Sequence, residues 1–104
     1  MKVRFSKRAQ ADLRSIVDTI SEQNPLAARR FGQLLWDRAS SLGDHPLSGA
    51  PILGHSTARR LVVKPYIIVY RSHQAFVRIL RILHGRRDIQ TLMSRMSQPR
   101  PDEG

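Results

Sequence analysis

The hydrophobic period of this chain changes once, from the period of helices to that of strands, and this change limits the folds available to it. Between residues 7 and 42, apolar residues recur in two stripes with a period of 3.6 residues. Between residues 60 and 84 they fall into short β-rich runs. Because 104 residues make a single domain of ordinary size, we expect the helical half to pack on the strand half.

The first half predicts a helical hairpin. Ser6 can cap a first helix over about residues 7–22, because its hydroxyl can accept a hydrogen bond from an unpaired amide of the first turn. Asn24-Pro25 predicts the start of a second helix, which should end at Gly43 with that glycine in the left-handed conformation. The apolar stripes are Ala9, Leu13, Ile16, Val17 and Ile20 in the first helix, and Ala28, Phe31, Leu34, Leu35, Ala39 and Leu42 in the second.

The second half predicts a small sheet. Three β-rich runs cover residues 60–64, 66–71 and 75–84, and the spacers between them are short enough to allow only hairpins. The sheet should therefore be mainly antiparallel. In the last run Val77, Ile79, Arg81 and Leu83 alternate with residues that are also largely apolar, which is typical of a central strand.

The segments outside these runs complete the prediction. Residues 2–5 alternate in polarity and predict a short first strand, whereas residues 43–58 show no period and predict a loop of about 16 residues. The expected order is β-αα-βββ, an α+β fold with the helical hairpin on one face of a small, mainly antiparallel sheet. We expect a single domain over residues 1–96, including a short amphipathic helix over 89–96, and a disordered tail over 97–104.

The composition restricts the compartment and the partners. The chain has no cysteine, no leader-like apolar stretch after its basic N-terminus and no run long enough to span a bilayer, so we expect a cytoplasmic protein with no membrane contact. Its net charge is +10, and the basic residues are concentrated after residue 58. Such a field favours nucleic acid, an acidic protein segment or anionic lipid without choosing among them.

Few enzyme classes fit the remaining motifs. Gly-rich phosphate loops, metalloprotease motifs and paired carboxylates are all missing, and Asp88 is the only acid between residues 45 and 101. The four histidines have no metal-ligand spacing. We therefore expect no metal and no cofactor.

The segment from His84 to Asp88 carries the richest set of polar residues. One interpretation is a metal-independent ribonuclease, in which His84 moves protons while Arg81 and Arg86 stabilise the charge on the phosphate. The other is structural: Asp88 pairs with Arg86 or Arg87 to fasten the strand end, and Gly85 permits a turn.

Three aromatic residues also leave two interpretations each. Trp36 lies about 120° from the apolar stripe of its helix, so it is either a protein-contact anchor at the edge of the hairpin or a packing residue under the long loop. Tyr66 and Tyr70 share one strand face. They could offer stacking platforms for bases, or they could lie at the edge of the core with their hydroxyls in water.

An ordered series of motifs over about residues 3–88 resembles the ParE branch of the RelE/ParE superfamily of bacterial type II toxins. The series consists of Ala9-x-x-Asp12-Leu13-x-x-Ile16, Asn24-Pro25-x-x-Ala28-x-x-Phe31, Leu42-x-x-x-Pro46-x-x-Gly49, Arg60-Leu61, Tyr66-x-Ile68-x-Tyr70-Arg71 and Ile82-x-His84-Gly85-Arg86-Arg87-Asp88. The chain departs from the family pattern at Thr19, where an aromatic residue is usual, and at Ala50, where arginine is common.

The resemblance implies a toxin that a ParD-like antitoxin with an acidic C-terminal segment holds inactive, and that poisons DNA gyrase by binding rather than by catalysis. The alternative is a RelE-like metal-independent messenger RNA endoribonuclease using His84, Arg81 and Arg86. On the gyrase interpretation we expect no catalytic residue. The residues expected to bind the target are Arg86, Arg87, Arg71 and Lys64, and those expected to bind the antitoxin are Trp36, Phe31, Arg60 and Arg78.

Overall fold

Two helices pack on one face of a five-stranded sheet in the computed structural model, which describes residues 1–85 and Asp88. The elements are β1 (Lys2–Phe5), α1 (Lys7–Ser21), α2 (Pro25–Ser41), β2 (Ala50–Ile52), β3 (His55–Val63), β4 (Tyr66–Ser72) and β5 (Phe76–His84). The strand order is β1-β5-β4-β3-β2, and β1 alone pairs in parallel. The α+β class, the antiparallel hairpins and the central position of β5 are confirmed. The predicted helix over 89–96 and the tail over 97–104 lie outside the described residues.

Both helices begin where the capping residues predict. The Ser6 hydroxyl accepts a hydrogen bond from the Ala9 amide at 3.0 Å and donates one to the Leu80 carbonyl at 2.9 Å, so one side chain starts α1 and ties it to β5. The Asn24 side chain accepts from the Ala27 amide at 3.0 Å, directly before the proline that opens α2. Local sequence therefore sets both helix starts.

Gly43 has a different role from the one predicted. The residue that ends α2 is Leu42, in a right-handed conformation, and Gly54 is the described glycine with positive φ. A Cβ on Gly43 would instead collide with the carbonyl of Met1, whose amino group donates to the Gly43 carbonyl at 2.8 Å. The prediction of a left-handed cap is thus wrong: this glycine allows the start of β1 to pass close to the end of α2.

The predicted loop over 43–58 is also partly wrong, because it contains β2 and the beginning of β3. Ala50 and Pro51 pair with Arg60 and Arg59, which makes β2 an edge strand, at the opposite edge of the sheet from β1. Gly54, at φ 82°, lies in the turn that follows β2. A three-residue strand that contains proline has no readable period, and proline is tolerated there because the strand lies at an edge.

Tyr70 fastens the segment between α2 and β2 to the sheet. It is fully buried, and its hydroxyl donates to the Pro46 carbonyl and accepts from the Gly49 amide, both at 2.8 Å. A Cβ on Gly49 would lie 2.5 Å from the Arg60 carbonyl, so the close approach requires glycine. Both predicted roles of Tyr70, a stacking platform and a hydroxyl in water, are wrong.

The core has one large cluster facing the helices and a smaller one on the other face of the sheet. A β-bulge in β5 changes which of its side chains face each cluster. Tyr70 pairs with Ile79 and Val69 pairs with Arg81, so Leu80 is an extra residue without a partner in β4. Ile79 and Ile82 consequently both join the helix-facing cluster, whereas strict alternation places them on opposite faces.

Candidate functional site

Asp12 completes the edge of β5 beyond the end of β1. The last pair between these strands joins Phe5 and Ile79, so β5 continues without a strand neighbour on that side. Asp12 of α1 takes this place: its carboxylate accepts from the Ile82 amide at 2.9 Å and from the Arg81 guanidinium at 2.8 and 3.2 Å. These hydrogen bonds explain why the motif in α1 contains an aspartate at this position.

The same contact determines the electrostatics of Arg81. The hydrogen bond to Asp12 raises the pKa of Arg81 above its usual value, partial burial opposes this, and the charges of Asp12 and Asp88 add to the rise. Arg81 is one of the cations that the ribonuclease interpretation assigns to phosphate. Since Asp12 already forms a two-point ion pair with Arg81, that cation is occupied.

His84 ends β5 and is held by its backbone and its ring. Its amide donates to the Asp88 carboxylate at 2.9 Å, so Asp88 holds the strand end through the main chain. The predicted pairing of Asp88 with Arg86 or Arg87 involves residues outside the described part of the chain. The imidazole meets the Tyr66 ring edge-on at 5.5 Å. Its Nδ1 atom is buried and has no hydrogen-bond partner among the residues described here. The ring is thus packed against an aromatic side chain, and no described side chain bonds its Nδ1 atom to orient it as a general base would require.

A cavity of about 320 Å³ lies beside His84 at this end of the sheet, which we call the strand-end cavity. Its lining residues are Val62, Lys64, Pro65, Tyr66, Ile67, His84 and Gly85. Lys64 is the basic residue among them, and most of the lining is apolar. This composition suits contact with a protein surface better than it suits a polyanionic substrate.

A larger groove of about 470 Å³ is lined by residues from the end of α1 to the middle of α2; we call it the hairpin groove. It is lined by Ile20, Asn24, Leu26, Ala27, Arg30, Phe31 and Leu34. Leu26 and Leu34 are 53% and 39% exposed, and with Arg30 between them they lie one above the other along α2. Exposed leucines around a groove make it a candidate surface for contact with another protein.

Trp36 lies at the edge of the hairpin, as its angular offset predicted. Its ring stacks on Phe5 of β1 at 4.8 Å with an interplanar angle of 4°, and the side chain remains 49% exposed. This aromatic pair lies at β1, one of the two edge strands of the sheet. Neither of its residues lines the hairpin groove.

The residues predicted to bind the target do not all lie together. Lys64 is in the turn between β3 and β4, beside His84. Arg71 is near the other end of β4, about 17 Å away at the rise of an extended strand. Arg86 and Arg87 lie outside the described residues.

The residues predicted to bind the antitoxin are also divided. Phe31 lines the hairpin groove and packs against Tyr66 at 5.6 Å. Arg60 and Arg78 are exposed on the sheet face opposite the helices, since Arg60 pairs with Val69 of the smaller core cluster and Arg78 pairs with Arg71. The four residues predicted to bind the antitoxin therefore lie on three separate surfaces: the hairpin groove, the sheet face opposite the helices, and the edge of the hairpin at Trp36.

Metal binding and membrane spanning are two further functions that the described structure addresses. Within residues 1–85 and Asp88, no three histidine or acidic side chains come close enough to hold a metal ion. No helix in this part of the chain has both the length and the apolar character needed to cross a membrane.

Comparison with known proteins identifies the family. The family model described as the ParE toxin of the type II toxin-antitoxin system, parDE, matches residues 3–89. The chain belongs to this family of toxins. Membership implies an antitoxin as its partner.

Individual relatives agree with the family match. Toxin RelE2 of Caulobacter vibrioides is 41% identical over 87 residues, which cover 83% of this chain and 97% of the relative. Toxin RelE1 of the same organism is 32% identical over 87 residues, covering 80% and 91%. A solved structure described as the chromosomal ParDE TA system from P. aeruginosa superposes with a TM-score of 0.71 at 24% identity, over 81% of this chain and 95% of the other, which shows the fold.

Sequence reasoning missed two contributions. Asp12 was noted only within a motif, although it holds both Arg81 and the edge of β5. Arg4 was assigned no role, although it lies directly opposite Arg78 in the sheet. The place of Asp12 in the first motif of the ordered series was the signal for its role, whereas nothing in the sequence indicated the role of Arg4.

Proposed function

We propose that this toxin arrests growth by binding and poisoning DNA gyrase in the cytoplasm, and that a ParD-like antitoxin neutralises it. The observation that carries the proposal is the ion pair between Arg81 and Asp12, at 2.8 Å. It occupies a cation that cleavage of RNA would need at the strand end. What remains there is the mainly apolar strand-end cavity, which favours binding over catalysis.

The ribonuclease remains the second candidate, for two reasons. His84 borders the strand-end cavity, and the two curated relatives carry the name RelE. Cleavage by the 2′-hydroxyl needs a base, an acid and free cationic groups close together. Among the described residues Lys64 is the free cation at this cavity, and the Nδ1 atom of His84 has no partner that would orient the ring.

For gyrase, we propose a contact surface at the end of β5. Lys64 lies there, and Arg86 and Arg87 follow Gly85 directly in the sequence. Arg71 is too far along β4 to join the same compact contact. Replacing Arg86 and Arg87 together with alanine should therefore weaken gyrase inhibition more than Arg71→Ala does.

For the antitoxin, we propose that an amphipathic helix binds in the hairpin groove. Its apolar side chains would cover Leu26, Leu34 and Phe31, which line the groove at helical spacing. Arg30 lies between the two leucines and offers a partner for an acidic residue on the incoming helix. Trp36 provides a second aromatic contact at the edge of the hairpin.

The experiment is plasmid supercoiling by purified gyrase with ATP, with the toxin added alone or premixed with its antitoxin. We expect inhibition, or accumulation of cleaved plasmid, that the antitoxin reverses. A folded toxin that arrests cells but leaves gyrase unaffected contradicts the proposal. In that case, incubation with ribosomes and messenger RNA tests the second candidate, with His84→Ala as the first variant.

A further inference from the structure

Charge is distributed unequally between the two layers of the molecule. The five strands contain seven lysine and arginine residues and no aspartate or glutamate. These basic residues are Lys2, Arg4, Arg59, Arg60, Arg71, Arg78 and Arg81. The acidic residues of the described chain are on the helices, in connecting segments or at Asp88. The sheet is thus the strongly cationic layer.

Three of these arginines form a line across adjacent strands, which we call the arginine row. Arg4 of β1 is the pairing partner of Arg78 of β5, and Arg78 is the partner of Arg71 of β4. Directly paired residues place their side chains on the same face of a sheet, about 5 Å apart. The row lies on the face opposite the helices, since Tyr70, next to Arg71, points into the helix-facing core.

This arrangement is unfavourable for the isolated protein, because like charges directly opposite each other destabilise a sheet. The ion pair found in the described chain joins Arg81 to Asp12, so it leaves the charges of the row uncompensated. Arg4 is instead held over the Phe76 ring at 4.7 Å, and that ring stacks on His73. The Nε atom of Arg71 is buried and has no hydrogen-bond partner within residues 1–85 and Asp88. The row is therefore a fixed concentration of positive charge that an anion would stabilise.

We propose that the arginine row binds the phosphate backbone of double-stranded DNA. Each guanidinium can hold a phosphate through two parallel hydrogen bonds, and backbone contacts of this kind need no base recognition. This site is separate from the proposed gyrase and antitoxin contacts, which lie at the strand end and on the helices. The inference therefore goes beyond the proposed function.

Two features favour duplex DNA over other polyanions. An acidic peptide would need apolar anchors, and the exposed leucines of the described chain lie on α2 and in the segments beside β2, away from the row. A single strand would bind through bases stacked on open aromatic rings. Phe76 is the aromatic residue of the described strands on the row's own face of the sheet, and its ring is already occupied by Arg4 and His73.

The test compares two triple variants that remove equal charge. Arg4→Gln with Arg71→Gln and Arg78→Gln removes the row, whereas Arg8→Gln with Arg14→Gln and Arg29→Gln removes three exposed arginines of the helices. The anisotropy of a fluorescein-labelled DNA duplex of about 20 base pairs measures the affinity of each full-length protein between about 50 and 200 mM NaCl.

We expect the row variant to bind at least about tenfold more weakly and its salt slope to fall by about 2 to 3, because three phosphate contacts are lost. The helix variant should keep most of the wild-type slope. Equal losses in both variants would show a response to net charge alone and overturn the proposal. So would the absence of binding at about 50 mM NaCl, or tighter binding of single-stranded RNA of the same length.

A second variant guards against misfolding, since the Nε atom of Arg71 is buried. Arg4→Gln with Arg78→Gln changes two exposed side chains only, and its salt slope should fall by about 1 to 2. An unchanged slope in this folded protein contradicts the proposal. Gyrase inhibition is measured separately, so failure of DNA binding and failure of the proposed function are distinguishable.

Discussion

The helical layer and the sheet of this toxin expose opposite kinds of chemistry. The helices expose leucines around an open groove and carry both acidic and basic residues, whereas the described strands carry basic residues and no aspartate or glutamate. Binding at an apolar groove is driven by the exclusion of water from apolar surface. Binding at a row of guanidiniums is driven by attraction to anions, and salt weakens it. One small domain thus presents two surfaces of different chemistry, one apolar and one cationic.

The two surfaces share one core, so the largest effect should come from a residue between them. Ile79 is fully buried and pairs with both Phe5 and Tyr70. Ile79→Ala should cost about 2–5 kcal/mol of unfolding free energy, measured in urea, because it removes methyl groups and leaves a cavity. Leu53→Ala, at a side chain 88% exposed, is the control and should change stability by less than about 0.5 kcal/mol. A cost below about 1 kcal/mol for Ile79→Ala would contradict this packing.

The next effect separates the surfaces. Leu26→Asp with Leu34→Asp should weaken antitoxin binding at least about 100-fold in calorimetry, because charge replaces the apolar contacts of the groove. The control is Leu47→Asp with Leu53→Asp, which adds the same negative charge at exposed positions outside the groove. Both double variants should bind DNA with the same affinity, because neither changes the arginine row. Antitoxin affinity equal in both proteins would remove the groove from the interface.

A moderate effect tests the junction between helix and sheet. Asp12→Asn should lower the unfolding free energy by about 1–3 kcal/mol, because Arg81 loses its carboxylate. The raised pKa of Arg81 means that its stabilising charge is complete below its unfolded pKa and is lost only as pH rises through the still higher folded value. The difference between variant and wild type should therefore be the same at about pH 7 and pH 9. A difference that disappears at the higher pH would show that Arg81 is not the group involved.

The smallest effect concerns His84. If the toxin acts by binding, His84→Ala should leave growth arrest nearly unchanged, whereas loss of an acid–base group would reduce a ribonuclease by about 10²–10⁴-fold. Growth after induction, at matched levels of soluble protein, measures this. A folded His84→Ala protein that still binds antitoxin but no longer arrests growth would favour catalysis.

Local signals in the sequence were sufficient for the helices and the long strands. Ser6 and Asn24 specify their helix starts through a single hydrogen bond each, so their effect is readable without the rest of the fold. The strand β2 could not be predicted, because three residues with a proline show no period. The bulge at Leu80 was equally hidden, since it arises from pairing between strands.

The site was less predictable than the fold, because its contacts join distant parts of the chain. Asp12 and Arg81 are 69 residues apart, and no spacing rule connects them. The alignment of Arg4 with Arg78 depends on the register of a parallel pair, which a sequence pattern does not specify. Trp36 was predicted at the edge of its helix from angle alone, but its partner Phe5 was not.

The most direct test of separate surfaces is the gyrase supercoiling assay with the Leu26→Asp and Leu34→Asp double variant, with and without antitoxin. We expect this variant to inhibit supercoiling as strongly as the wild-type toxin, and we expect the antitoxin no longer to relieve the inhibition. Loss of inhibition by the folded variant would place the target on the helices. Full relief by the antitoxin would place the antitoxin elsewhere, and either result would contradict the account.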